Sequence, residues 1–528
     1  MRAAEPGGHA EGPLWRSATE ISREVRAGKL SAQAVLEAHL RRIEVVNQRL
    51  NAIVLPRFEA ARAEAAALDA ARARGEPLGP LAGVPITIKE CFDLAGMQTT
   101  VGLPARVGRH AAADAPLVGQ LRAAGAIVVG KTNLSQLMLF AEADNPVYGR
   151  TANPWALDRS PGGSSGGEAA IIAAGGVPLG LGSDIGGSVR IPAHSCGLCA
   201  LKPTAGRLTM IGTGDLWAGQ EGILDQAGPL ARTVADLYLA LRVLARPGQE
   251  AIDPAVPPVP LGDPEPIALP GLRVGFYEDD GVFAAAPSLR RAVRESAYAL
   301  RARGADVEPF VPPDPGEAVR LWLGIIGAAG GAPFRRELRG GKVDRRIRQM
   351  ALAAGLGRSG RATASALARL FGQHRLAAGM RVWGRRSTSA YWDLLAARAR
   401  YRARFLAALD AARLDAVVCP PLPLPALRHG TSLELGAVHT YTLVYNVTGM
   451  PAGVVAAARV RVNEESDRPP SQDGAERAAR SVESGSAGLP VGVQVAARHW
   501  REDIVLAVMA ALDQHFRTEP EYPVRAPL

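Results

Sequence analysis

The stretch 161–204 reads PGGSSGGEAAIIAAGGVPLGLGSDIGGSVRIPAHSCGLCALKPT, and the rest of the chain is read outward from it. Ser164 and Ser188 lie 24 positions apart, each in glycine-rich surroundings. Gly186-Gly187 lacks Cβ atoms, so the backbone there can take positive φ and let another molecule approach closely. Successive N–H groups in such a segment can converge on a developing negative oxygen. A serine at the edge of that nest is placed to attack the carbon bearing the oxygen, which is the chemistry of a hydrolase.

Upstream, LAGVPITIKECFD (81–93) starts as a turn and becomes a short strand, VPITIK, ending on Lys89. Lysines at strand ends are usually solvated. Here the neighbours are apolar, and an amine removed from water favours its neutral form, which can accept a proton. Two other motifs are decoys. GAIVVGKT (125–132) matches GxxxxGK[ST] letter for letter, but positions 126–129 read as a strand where a phosphate loop needs a turn. Gly162, Ser164 and Gly166 satisfy GxSxG, yet the preceding Asp158-Arg159-Ser160-Pro161 is not the apolar strand that a nucleophile elbow follows.

Size and composition set the frame. A chain of 528 residues, 47% hydrophobic and 21% charged, can bury a large core. No run of about 18 uncharged apolar residues occurs, so no transmembrane helix is expected, and residues 1–15 lack the apolar core of a secretory signal. Four cysteines (Cys91, Cys196, Cys199, Cys419) are too few for a disulfide framework at this length, which points to a reduced, cytoplasmic setting. Cys196 and Cys199 form a CxxC without a second close Cys/His pair, so buried thiols are expected and no metal is implied.

The elements alternate. Residues 17–47 read as two helices capped by Ser17 and Ser31, 57–74 as a third and 114–124 as a fourth, with residues 1–14 a disordered tail. Residues 233–246 read as a helix. The eight prolines of 247–270 fit either a linker or a surface excursion before strand 272–279, helix 288–303 and strand 305–311. Helix 398–412 leads into strand 415–420, the alternation resumes in YTLVYNVTGMPAGVV, and a polar loop insert at 464–487 precedes a strand from 488 and a helix at 501–516.

Lys89, Ser164 and Ser188, in GVPITIKECF (83–92), NPWALDRSPGGSSGGE (153–168) and PLGLGSDIGGSVRIPAHSCGLCALKPT (178–204), identify a resemblance to the amidase signature family, and within it to the fatty acid amide hydrolases. Weaker resemblance extends from about residue 15 to 517. It implies a single large α/β/α domain over 15–520, with a mixed, twisted central sheet flanked by helices. It implies a Ser-Ser-Lys triad in which Lys89 takes the proton of Ser164, Ser164 that of Ser188, and Ser188 attacks an amide to form an acyl-enzyme. The amides of Ile185, Gly186, Gly187 and Ser188 would hold the oxyanion, while Asp184, Arg190 and Ser165 brace the loop. Met138 matches a substrate-contacting position in the fatty acid amide hydrolases, and a plain core methionine fits it equally. No organic cofactor is implied. The expected substrate is an amide, foremost a primary fatty acid amide or N-acyl ethanolamine. The alternatives are a general small or aryl amide amidase, a glutamine-hydrolysing amidotransferase subunit, or a non-enzymatic membrane or nucleic-acid binding scaffold.

The net charge of +10 is local. Residues 342–386 hold eleven Lys or Arg and one acid, Asp344, leaving fifty bases and fifty acids elsewhere. Ile347, Met350, Ala351 and Ala354, then Leu367, Leu370 and Phe371, follow helical spacing on either side of residues 355–360, which predicts two short amphipathic helices. The resemblance makes this segment a cap through which the enzyme sits on membranes. Peripheral contact with anionic lipid is therefore expected, nucleic acid is not, and a homodimer is left open.

Overall fold

The computed structural model describes residues 12–214, 219–339 and 341–528. Its strands, in chain order, are β1 (Ile53–Pro56), β2 (Pro85–Lys89), β3 (Ile127–Thr132), β4 (Asp144–Asn145), β5 (Gly149–Arg150), β6 (Leu179–Asp184), β7 (Cys199–Lys202), β8 (Gln226–Ala231), β9 (Arg273–Phe276), β10 (Asp306–Pro309), β11 (Ala416–Cys419), β12 (Ala452–Arg459) and β13 (Pro490–Ala497). Apart from the β4–β5 hairpin they form one eleven-stranded sheet, ordered β1-β3-β2-β6-β8-β7-β12-β13-β11-β9-β10. β2 runs parallel to both β3 and β6, and β9 to both β10 and β11, while the middle of the sheet is antiparallel. The mixed α/β sheet expected from the sequence is present. Fully buried strands such as β2, β3, β6 and β13 show why their sequences read as unbroken runs: helices cover both faces.

Local signals set the boundaries of the first helices. The Ser17 side chain accepts from Glu20 N–H, and the Glu20 carboxylate accepts from Ser17 N–H, closing a capping box on Ala18–Arg26. Ser31 caps Ala32–Leu50 in the same way through Ala34 N–H. The expected tail is ordered at its end, because Pro13–Trp15 forms a 3₁₀ turn and the Arg232 guanidinium stacks 5.5 Å from the Trp15 ring; residues 1–11 lie outside the described residues. GAIVVGKT continues into strand β3, and Lys131 is buried, donating to Gln98 O and Thr99 Oγ1 at 2.6 and 2.9 Å, so this lysine is a structural anchor. The proline-rich 247–270 segment is a surface excursion, pinned where Arg207 Nη1 donates to Val259 O.

Three expectations need correction. The basic segment holds three helices, not two: Arg345–Gly355, Arg358–Leu370 and His374–Val382, the last separated by Gly372 at φ +69°. The helix expected at 398–412 begins a full ten residues earlier, at Thr388, where the Ser387 side chain caps it. The polar insert at 464–487 contains a helix, Gly474–Glu483, capped by Asp473. Its Ala475, Ala478, Ala479 and Val482 are buried at i, i+3, i+4, i+7 in a second apolar cluster with Phe283, Leu422 and Leu424. Alanine carries too little hydrophobicity for that stripe to stand out among so many charges.

Candidate active site

Lys89 is the last residue of β2 and Asp184 the last of β6, the parallel neighbour, so both side chains emerge at the carboxyl edge of the same strand pair. Clefts at that edge are where open α/β sheets place their ligands. From β6 the chain turns through Ile185-Gly186-Gly187-Ser188 into the helix Arg190–Cys196, and the helix Gly166–Ala173 starts beside it, immediately after Ser164 and Ser165.

Lys89 and Ser164 meet here. Lys89 is fully buried, and its Nζ lies 2.8 Å from Ser164 Oγ, 3.1 Å from Ser183 Oγ and 3.4 Å from Ser183 O. Among the described residues no carboxylate forms an ion pair with it. The Gly163–Ser164 peptide is cis. Ser165 N–H donates to Ser188 O at 3.2 Å and the Ser165 hydroxyl to Ser183 O at 3.3 Å, so this serine ties the helix start to β6 and to the Ser188 backbone. Ser188 is the most open of the three hydroxyl residues, half-buried where Ser164 and Ser165 are buried.

The loop is held by charge. Arg190 donates to both Asp184 oxygens at 3.0 Å, to Gln494 Oε1 at 2.7 Å and to Asn446 Oδ1 at 2.6 Å, all fully buried or nearly so. Burial alone would raise the Asp184 carboxyl; the Arg190 charge and its hydrogen bonds more than offset this and hold it well below the usual range. Asp184 Oδ1 in turn accepts from Gly187 N–H at 2.7 Å and Oδ2 from Val189 N–H at 3.2 Å. The Gly187 amide is already engaged, and the loop amides with no protein acceptor among the described residues are those of Ile185, Gly186 and Ser188.

Beneath the lysine sits a carboxyl that sequence reading passed over. Glu168 is fully buried and accepts from Thr87 and Thr132 hydroxyls, each at 2.6 Å. Burial pushes it up to about 8, against the pull of the two threonines and of Lys89. Its signal was in the strand: a Cβ at Gly180 would lie 1.9 Å from Glu168 Oε2, and one at Gly182 would lie 2.8 Å from Ser165 Oγ. Alternate glycines in LGLGSD mark the face where these two side chains press against the sheet. Met138 is partly buried against the main core in the 3₁₀ turn Gln136–Met138, and no bond links it to the serines. Cys196 and Cys199 are buried and unpaired, Cys196 Sγ facing Pro161 O at 3.5 Å.

The family model described as Amidase matches residues 34–506, about nine-tenths of the chain. The chain belongs to the amidase family. It is 34% identical over 500 residues to fatty-acid amide hydrolase 1 of Sus scrofa, covering 94% of this chain and 85% of that one. Indoleacetamide hydrolase of Bradyrhizobium diazoefficiens is 40% identical, but over 320 residues and 60% of each chain. A solved structure of a fatty acid amide hydrolase superimposes with a TM-score of 0.83 at 25% identity, covering 95% of this chain and 85% of that one. This amidase is therefore an amide hydrolase built as one large α/β domain.

Proposed function

We propose that this amidase works through a relay of Lys89, Ser164 and Ser188, and that its substrates are fatty acid amides. The observation that carries the relay is the 2.8 Å contact between the buried Lys89 amine and Ser164 Oγ, with no carboxylate in an ion pair with the amine among the described residues. A neutral amine there takes the proton of Ser164 while Ser164 takes that of Ser188, and Ser188 Oγ bonds to the amide carbon. The carbonyl electron pair moves onto oxygen, where the free amides of Ile185, Gly186 and Ser188 meet it. The proton returns through Ser164 to the leaving nitrogen, the C–N bond breaks, and an acyl group stays on Ser188. Water, deprotonated by the same relay, releases the acid.

Two observations support the lipid assignment. Resemblance to fatty-acid amide hydrolase 1 runs through the basic helices to nearly the whole chain, whereas that to indoleacetamide hydrolase stops at 60%. The helices of the basic segment also expose apolar side chains, with Leu352, Leu370 and Phe371 69%, 80% and 72% exposed, next to exposed Arg345, Arg348, Arg369 and Arg381 that have no acidic partner among the described residues. Water-facing leucine and phenylalanine beside unpaired arginine suit the surface of an anionic bilayer. No described helix is long and apolar enough to cross a membrane. Residues 342–386 are thus read as a peripheral cap, and the cytoplasmic face of a membrane as its setting.

The test of the relay is labelling by a fluorophosphonate together with kcat/KM on an amide. Ser188→Ala is expected to abolish both, and Lys89→Ala to lower kcat by two or more orders of magnitude, the range of a lost general base. Labelling that persists in Ser188→Ala would remove Ser188 as nucleophile.

A further inference from the structure

The loop that would hold the oxyanion does not stand by itself. Its carbonyl groups are gripped by two helices from the second half of the chain. Trp322, on Pro315–Ile326, donates its indole Nε1–H to Ile185 O at 2.8 Å. Thr442, on Thr440–Thr448, brings its hydroxyl within 3.0 Å of Gly186 O and of His439 O, so its one proton is shared between the two carbonyls. The Trp322 ring also lies over the loop: a Cβ at Gly186 would be 3.3 Å from Trp322 Cζ2 and 3.3 Å from Leu443 Cδ2.

A trans peptide points its C=O and the following N–H in opposite directions. Among the described residues the sole cis bond is Gly163–Ser164, so the Ile185–Gly186 and Gly186–Gly187 peptides obey this rule. In the second plane the Gly187 N–H points at Asp184 and the Gly186 carbonyl points the other way, toward the Thr442 hydroxyl. Trp322 fixes the first plane. It aims the Gly186 N–H away from the helix, and that N–H has no protein acceptor among the described residues. A hydrogen bond accepted by a peptide carbonyl also polarises the N–H across the same amide.

We propose that Trp322 is a positioning residue for the reaction: through Ile185 O its indole N–H orients and polarises the Gly186 amide that receives the oxyanion. This rests on the serine relay proposed above. Trp322 touches neither proton relay nor nucleophile, and its effect falls on the transition state, where charge has moved onto oxygen, more than on the bound substrate.

The experiment uses Trp322→Phe, which keeps an aromatic ring and removes the donor, with Trp322→Leu as a second donor-less variant. Three quantities are read on each: kcat and KM on a short amide, the Ki of a trifluoromethyl ketone of the same acyl chain, whose adduct on Ser188 carries an oxyanion, and the Kd of the product acid. The expected result is a fall in kcat of about tenfold, smaller than the 10²–10³ for deleting an oxyanion donor outright. KM and the acid's Kd should stay within twofold, and the ketone's Ki should rise by the same factor as kcat/KM falls. A folded variant whose ketone Ki is unchanged, or whose Ki, KM and acid Kd all worsen together, overturns the inference and leaves Trp322 as packing. Failure of both variants to fold does the same, because the ring and not its donor would then be what the molecule needs. Ser188→Ala separates this from the parent reading: if that variant keeps wild-type activity the relay itself falls, whatever Trp322 does.

Discussion

Glu168 lies near Lys89, the base of the proposed relay, so its own charge state matters. An ionised carboxylate there would place a negative charge in a buried, poorly screened site beside the proposed relay. Burial instead raises Glu168 to about 8, so at neutral pH it is mostly the uncharged acid between Thr87 and Thr132. Its effect on stability has a definite sign. The native state keeps a proton that an unfolded glutamate, with its ordinary pKa of 4.5, releases; this stability is fully present below pH 4.5 and is lost as pH rises through about 8. Glu168→Gln cannot titrate, and the difference between wild type and variant in urea unfolding should change by a few kcal/mol between pH 5 and 8, an order-of-magnitude figure. Lys202, buried between Pro203 O and Met450 O, is brought down to about 7 by desolvation and acts in the opposite sense above that pH. It is common to both proteins and cancels in the difference. A pH-independent difference would mean that Glu168 is ionised throughout, and would count against an uncharged Glu168 beneath the relay.

Elements whose signals are local were legible. Ser17, Ser31 and the glycine runs around Ser164 and Ser188 announced helix starts and tight turns within a few residues of themselves. The basic segment was half legible, since the spacing of Leu367, Leu370 and Phe371 gave the helix, but not that the stripe faces water. Spacing defines a face, and only the neighbouring elements decide what covers it. Arg346 makes the converse point: one of eleven bases in a run that reads as a solvated patch, it is buried against Glu142, Asp344 and the Phe140 ring. The exposed stripe carries its own prediction. Leu370→Asp with Phe371→Asp should lower binding to phosphatidylserine vesicles by about tenfold or more at low salt, since two large apolar side chains contribute about 1.5–3 kcal/mol each when fully buried. Hydrolysis of a short, water-soluble amide should be unchanged. Vesicle binding that survives the double change and falls only with salt would assign the contact to the arginines alone.

Across the whole molecule, the site is assembled from the two ends of the chain. Lys89 and the serines lie within a hundred residues of one another, and the motif that holds them could be read directly. The groups that hold the loop could not: Trp322, Thr442, Asn446 and Gln494 reach it from 137, 256, 256 and 304 positions away along their respective bonds. No period or spacing encodes such pairings; they exist because β12 pairs back onto β7, with β13 beside it, joining the second half of the chain to the first half of the sheet. A Cβ at Gly186 would lie 3.3 Å from both Trp322 Cζ2 and Leu443 Cδ2, so the proposed acyl group on Ser188 would lie beside apolar side chains from that second half. If these side chains begin an apolar channel toward the exposed leucines of the basic helices, each methylene removed from water should lower the barrier, by at most about 0.8 kcal/mol. The values of kcat/KM for acetyl, butyryl, octanoyl, lauroyl and oleoyl amides should then climb with length, by up to about fourfold per carbon before levelling off where the channel ends. A maximum at acetyl or at an aryl group would leave the relay intact and make this a small-amide amidase, because a closed pocket charges longer chains for the side chains they displace.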